Sequence, residues 1–190
     1  MDKIIGSAYQ KIIELCSPFV ISIDGLCGAG KTTIANAIQK WHQEQGICAD
    51  IIHMDHFFLQ KHQRSMQRLA EPGGNIDYER FTQDIVSKLK NTAPLYYTPF
   101  NCTTMTMDEP IQIQASQVVI VEGSYSLHPV FKKYYDISIF VTTPKEEQLS
   151  RLKKRGSDVF EMFIWRWIPM ENKYFSHYKI EESCDLIINN

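Results

Sequence analysis

The chain lacks any C-x-x-C pair, internal repeat, low-complexity tract or excess of positive charge, and each absence removes a class of protein. Its five cysteines, Cys16, Cys27, Cys48, Cys102 and Cys184, are odd in number and scattered, so they form neither a zinc-ligand spacing nor an evident disulfide framework. That usage suits a reducing cytosol. With a formal net charge of −2 there is no global field to gather phosphodiester backbones, and nucleic acid is not an expected partner. No stretch approaches the ~20 apolar residues that span a bilayer, and no basic-then-apolar leader follows Met1, so a cytoplasmic protein without a membrane partner is expected. A length of 190 residues, 44% hydrophobic and 22% charged, fits one globular domain over residues 1–190. Trp165 and Trp167 suit the core better than an interface, and a homodimer stays open.

What is present is an alternation of periodicities. Residues 4–15 carry Ile4, Ile5, Ala8, Ile12, Ile13 and Leu15 on one side of a 3.6-residue repeat, as in an amphipathic helix. Phe19-Val20-Ile21-Ser22-Ile23 then reads as a strand buried on both faces. A helix over residues 32–44, a strand at 51–54, a polar segment at 60–74 and a helix over 78–90 follow. Buried-type strands at 118–121 and 137–141 flank a helical piece at 127–133. A helix over 144–155 closes at Gly156, another covers 170–178 from near Pro169, and 185–188 is a last strand. Short strands at Tyr96-Tyr97 and Ile111-Gln112-Ile113 around a threonine-rich turn suggest a β-hairpin flap at about 94–114. The alternation predicts an α/β domain with a mostly parallel sheet and helices on both faces.

One motif carries the chemistry. Gly25-Leu26-Cys27-Gly28-Ala29-Gly30-Lys31-Thr32, followed by Thr33, fits G-x-x-x-x-G-K-[ST] between a strand and a helix. Glycines let backbone N–H groups turn toward phosphates, Lys31 offers a mobile positive charge to the β and γ phosphates, and the Thr32 hydroxyl suits magnesium. ATP and Mg2+ are therefore the expected ligands. A GTPase would ordinarily add D-x-x-G and N-K-x-D, and neither string occurs. Asp55, directly after the second strand, falls at the carboxyl edge of a parallel sheet, where it could accept a proton or order the waters of magnesium. An Asp there can also simply cap the next element. His53 and His56 flank it, but two histidines three apart are more often incidental than a metal site.

Several segments together carry a resemblance. Ile23-Asp24-Gly25 entering the P-loop, His53-Met54-Asp55-His56-Phe57-Phe58, Pro72-Gly73-Gly74-Asn75-Ile76-Asp77-Tyr78-Glu79-Arg80-Phe81 and Val121-Glu122-Gly123 resemble the uridine kinase family, especially its short bacterial members. The wider group includes nicotinamide riboside kinase and phosphoribulokinase, and Trp167-Ile168-Pro169-Met170 with Lys173-Tyr174 is similar to a stretch of the riboside kinases. The resemblance implies a P-loop NTPase fold of three α/β/α layers with a lid at about 151–168. It implies that Asp55 is the catalytic carboxylate, that Glu122 stands near magnesium with Thr32 and Asp55, and that Asp77 holds ribose hydroxyls. Asn75 and Tyr97 would join Asp77 on the acceptor side. Arg151, Arg155 and Arg166 would lie in the lid, where closure brings them to phosphates or acceptor. The chain departs from the family between residues 96 and 104, which contain neither the histidine nor the arginine that usually reads the pyrimidine; His56 also replaces a second acid. The reaction implied is transfer of the γ-phosphoryl group of ATP to a hydroxyl, with uridine, another riboside and an unrelated alcohol as candidate acceptors. A nucleotide-binding regulator without transfer is the competing class; the joint presence of Lys31, Thr32, Asp55 and Glu122 argues against it.

Overall fold

The computed structural model describes residues 18–91 and 93–190, so the helix expected over residues 4–15 lies outside the described part. Strand β1 (Phe19–Gly25) is buried at all seven positions, as its unbroken apolar run requires. It pairs in parallel with β7 (Val118–Glu122) on one side and β8 (Ile137–Thr142) on the other, and β2 (Ala49–His53) and β9 (Leu186–Asn189) complete a parallel sheet ordered β2-β7-β1-β8-β9. Successive side chains of a strand face opposite sides. Phe19, Ile21 and Ile23 accordingly join Val118, Ile120 and Ala35 in one core, while Val20, Val119 and Val121 join Phe57, Phe81 and Tyr174 in the other. Helix α1 (Lys31–Glu44) covers the first face; α3 (Tyr78–Asp84) and α7 (Ile168–Tyr178) contribute to the second. The architecture is thus the expected three-layer α/β fold. The chain leaves β1 through α1 and reaches β2 across β7, so the strand order reverses beside β1 and opens a crevice at the carboxyl edge.

Between the two lobes of sequence that build the sheet, residues 95–113 form nested antiparallel ladders: β3 (Leu95–Tyr97) with β6 (Ile111–Ile113), and β4 (Phe100–Asn101) with β5 (Thr106–Met107). The polar segment holds α2 (Met66–Ala70), capped by Ser65, whose hydroxyl accepts from the Arg68 amide. Short α4 (Pro129–Lys132) starts on a proline, with His128 as its cap.

Three helix boundaries differ from expectation, each for a physical reason. The helix expected over 78–90 ends at Asp84, because Ile85 turns (φ −113, ψ −64) into a 3-10 turn at Val86–Lys88, and Ile85, Val86 and Leu89 all reach the core. Helix α5 (Lys145–Lys153) uses Pro144 as its cap rather than within its first turn. Residues before Pro169 do not form a loop. Helix α6 (Ser157–Met162) runs through a π turn at Phe163–Trp167 into α7. Pro169 has no N–H, and its ring would collide with the Trp165 carbonyl in a regular α-helix, so a widened turn just before it keeps the helix running.

One buried carboxylate ties these layers at the crevice. Asp24 is fully buried, and Oδ1 accepts from the amides of Gly25 (2.7 Å) and Tyr125 (3.0 Å) while Oδ2 accepts from the Leu127 amide (2.9 Å) and the Tyr174 hydroxyl (2.9 Å). Burial pushes its pKa up to about 6, against which these donors and the charge of Lys31 pull down. At neutral pH it therefore stands ionised and fully bonded. Gly25 follows at φ 138, with the Val141 carbonyl oxygen where a Cβ would point (2.0 Å), so no other residue fits there. Asp24→Ala strips partners from three buried amides, each worth about 1–3 kcal/mol, and is expected to lower unfolding stability by at least ~3 kcal/mol. Tyr174→Phe removes one donor and should cost about 1 kcal/mol. Urea denaturation of the two variants side by side checks this; equal, small losses would contradict it.

Candidate active site

The P-loop leaves β1 at Gly25, and its phosphate-facing turn uses left-handed backbone at Gly28 (φ 76) and Gly30 (φ 92) before α1 begins at Lys31. Cys27 and Ala29 are buried and Leu26 packs against both cores, and Thr32 and Thr33 belong to the first turn of the helix, where amides lack partners within the helix. Lys31 is folded inward: Nζ donates to the Gly25 carbonyl (2.8 Å), the Leu26 carbonyl (3.0 Å) and the Ser124 hydroxyl (3.1 Å). These are neutral acceptors, so an incoming phosphate would outbid them for the ammonium.

Thr32 and Glu122 meet from adjacent elements. The Thr32 hydroxyl donates to the buried Glu122 carboxylate, 3.2 Å from both oxygens, and His53 Nδ1 lies 2.5 Å from Glu122 Oε1. Register explains the second contact, since His53 and Glu122 are paired residues of β2 and β7. The hydrogen bond to Glu122 raises the His53 pKa above its ordinary value. Gly123, at φ 133, lets Met54 approach to within 2.8 Å of where a Cβ would stand, and so brings the turn after β2 against the end of β7. That turn (Met54–Phe57) carries Asp55, whose side chain stays open to the crevice. The surrounding walls raise the Asp55 pKa by desolvation, Lys31 opposes the shift, and Glu122 and Glu171 reinforce it. Crevice water weakens all of these effects. Hard oxygen donors from Thr32, Glu122 and Asp55 suit magnesium, which uses one or two carboxylates plus phosphate oxygens rather than a closed cage. Among the described residues no group of three or more His, Cys, Asp or Glu is placed to hold a metal ion.

The residues expected to hold the acceptor, Asp77, Asn75 and Tyr97, do not meet one another; Asp77 and Tyr97 are each bonded to other side chains. Asp77 is buried and caps α3: Oδ1 accepts from the Arg80 amide (3.0 Å), and Oδ2 accepts from Gln63 Nε2 (2.7 Å) with Arg80 Nε at 3.6 Å. Arg80 also donates to the carbonyls of His56 (2.6 Å) and Thr98 (2.9 Å), and so joins the Asp55 turn to the hairpin. Tyr97 is buried with its hydroxyl 2.9 Å from His56 Nδ1, and burial raises its pKa. The buried Oδ1 of Asn75 has no hydrogen-bond partner. An open cavity of about 380 Å³ borders Leu59, Gln63, Arg68, Glu71 and Asp77 but none of the P-loop residues or Asp55. It therefore adjoins Asp77 rather than the P-loop.

Of the three expected lid arginines, Arg151 touches the cradle, with Nη1 3.4 Å from the Gly28 carbonyl and Nε bonded to Glu147 (2.8 Å). Arg155 is exposed, 5.7 Å from the Phe163 ring centroid, and Arg166 is exposed on the π turn. Sequence reasoning missed four site residues: His53 on Glu122, Ser124 under Lys31, Arg80 across the hairpin, and Glu171. Glu171 accepts from the Cys27 amide (3.0 Å) and the Ser124 hydroxyl (2.7 Å). Its place in the first turn of α7 resembles an ordinary helix-start acid, so nothing local signalled it.

A family model described as an AAA domain matches residues 21–163 of the chain. The uridine kinase of Ureaplasma parvum serovar 3 is 31% identical, over 91% of this chain and 89% of its own length. The uridine kinase of Anoxybacillus flavithermus is 28% identical, over 90% and 85%. A solved structure of a possible uridine kinase from Bacillus stearothermophilus superimposes with a TM-score of 0.72 at 21% identity, covering 95% of this chain and 99% of that one. At that identity the superposition bears on the fold.

Because Lys31 serves the cradle from the first position of α1 and its partners are two carbonyls and a hydroxyl, Lys31→Ala should leave the melting temperature within a few degrees. It should weaken MgATP binding about 10- to 100-fold, the worth of one charge-assisted contact. Thermal melts and calorimetric titration decide; a collapse of stability with unchanged affinity would make Lys31 a structural residue.

Proposed function

From a chain that belongs to the uridine kinase family of P-loop kinases, we propose an ATP-dependent kinase that transfers the γ-phosphoryl group to a hydroxyl of a nucleoside or related riboside. The observation that carries this reading is the convergence at one sheet edge of Lys31, Thr32, Glu122 and a solvent-open Asp55. A nucleotide-binding regulator needs the first two; only transfer needs an accessible base beside them.

The P-loop amides and Lys31 seat the polyphosphate. Thr32, Glu122 and Asp55 would hold magnesium, with His53 fixing the Glu122 carboxylate; bound there, magnesium would offset phosphate charge. Asp55 takes the proton from the acceptor hydroxyl as its oxygen bonds to the γ phosphorus, the bond from that phosphorus to the bridging oxygen breaks, and ADP departs with the electron pair. Arg151, Arg155 and Arg166 are the cations available to offset charge at the transferring group once the segment at about 151–168 closes as a lid. Positioning and charge stabilisation supply most of the acceleration in such reactions.

The names of the relatives support uridine as first acceptor to test. Asp77 would bind vicinal ribose hydroxyls by giving up the Gln63 amide, with Asn75 and Tyr97 lining the same end. A second reading, a kinase of a non-nucleoside alcohol, draws on the closed state of that carboxylate, held by Gln63 and Arg80, and on the absence of histidine and arginine from residues 96–104. An ATP-depletion screen over ribosides and small alcohols separates the two.

On whichever acceptor turns over, Asp55→Asn should lower kcat by about 10²- to 10⁴-fold while the MgATP dissociation constant changes only a few-fold. The substitution keeps the size of the side chain and removes its proton affinity. Survival of kcat within roughly tenfold would reject Asp55 as the base.

A further inference from the structure

Four carboxylates are buried among the described residues: Asp24, Asp77, Glu122 and Glu171. The first holds backbone amides, the second caps a helix, and the third faces Thr32 and His53. Glu171 has no such local task. It could have satisfied the helix N-terminus from the solvent side, as first-turn acids usually do. Instead it points inward, 4% exposed, and spends both oxygens on the phosphate cradle: Oε2 on the Cys27 amide of the P-loop and Oε1 on the Ser124 hydroxyl.

The direction of the second bond matters. Ser124 has one hydroxyl proton, and at 2.7 Å Glu171 is its closer acceptor; the Gly25 carbonyl lies at 3.3 Å. With the proton committed to Glu171, the lone pairs of Ser124 face Lys31 Nζ at 3.1 Å and accept from it. The relay Glu171–Ser124–Lys31 thus sets the pose of the one cation of the P-loop, and the Cys27 bond fixes the third residue of the same loop. Glu171 stands five residues after Arg166, on the helix that continues from the π turn. We propose that Glu171 is a positioning residue that links this helix to the phosphate cradle and orients Lys31 through Ser124, which rests on the kinase reading above for its functional consequence.

Glutamine preserves the arrangement: its carbonyl accepts from Cys27, its amide donates to Ser124, and the hydroxyl turns to Gly25. Alanine preserves none of it. Two measurements on the full chain separate positioning from mere stability. In hydrogen exchange on the ligand-free protein, the peptide containing Cys27 should exchange at least tenfold faster in Glu171→Ala and within threefold of wild type in Glu171→Gln. In MgATP titrations of folded protein, Glu171→Ala should bind about tenfold or more weakly and Glu171→Gln within threefold. A Glu171→Ala protein with a lowered melting temperature but wild-type exchange at Cys27 and wild-type affinity overturns the proposal, as does a Glu171→Gln protein as impaired as Glu171→Ala, since that outcome assigns the effect to charge. Wild-type protein that binds no MgATP refutes the kinase reading instead, and the exchange measurement then still decides whether Glu171 holds the loop.

Discussion

The ionised, fully buried carboxylate of Asp24 is the constraint on which the site depends. A charge in a dry interior is tolerated only when each oxygen is bonded. Satisfying it forces three separate pieces of chain into fixed relation: the start of the P-loop at Gly25, the segment after β7 at Tyr125 and Leu127, and α7 at Tyr174. Glu122 and Ser124 border the second piece and Glu171 stands on the third, so side chains bonded to Thr32, Lys31 and the Cys27 amide are placed by an interaction that touches none of them.

Around that anchor the charge balance is uneven. Asp55 feels Glu122 and Glu171 as like charges and Lys31 and His53 as opposing ones, and Asp24 also leans on Lys31. The crevice therefore holds more negative charge than its lysine offsets. A polyphosphate entering it alone would meet repulsion, which is a physical reason for a divalent cation to accompany it and for arginines to approach from outside. Arg151 already reaches the Gly28 carbonyl, whereas Arg155 and Arg166 are exposed. Arg151 lies on α5, Arg155 just beyond its end and Arg166 in the π turn, and that turn lets the helix after Gly156 run on into the element that bears Glu171 and Tyr174.

The parts of this arrangement that were legible in the sequence are those whose chemistry is local. The P-loop must have glycine and lysine at fixed spacing on consecutive residues, and an apolar run such as 19–23 can only be a buried strand, so the cradle and its sheet could be read directly. Asp55 could be placed because a strand end fixes where the next residue goes. Pairings set by tertiary structure could not: Glu171 meets Cys27 across 144 residues, and His53 meets Glu122 across 69 through strand register. Asp77 marks the boundary between the two cases. Its position at a helix start was readable, but its engagement with Gln63 depends on how the 3-10 turn at Lys61–Gln63 folds back. Helices were misjudged where a single residue controls the backbone, at Ile85 and Pro169.

What decides the function is whether this crevice moves a phosphoryl group or only binds a nucleotide. Phosphorus NMR of MgATP with the purified chain and uridine, followed in parallel with a panel of other ribosides and small alcohols, tests it most directly. If it moves the group, the γ-phosphate resonance declines as ADP and a new phosphomonoester resonance grow in equal amounts with one of these acceptors. Release of inorganic phosphate alone, or an unchanged ATP spectrum with every acceptor despite measurable MgATP binding, would contradict transfer.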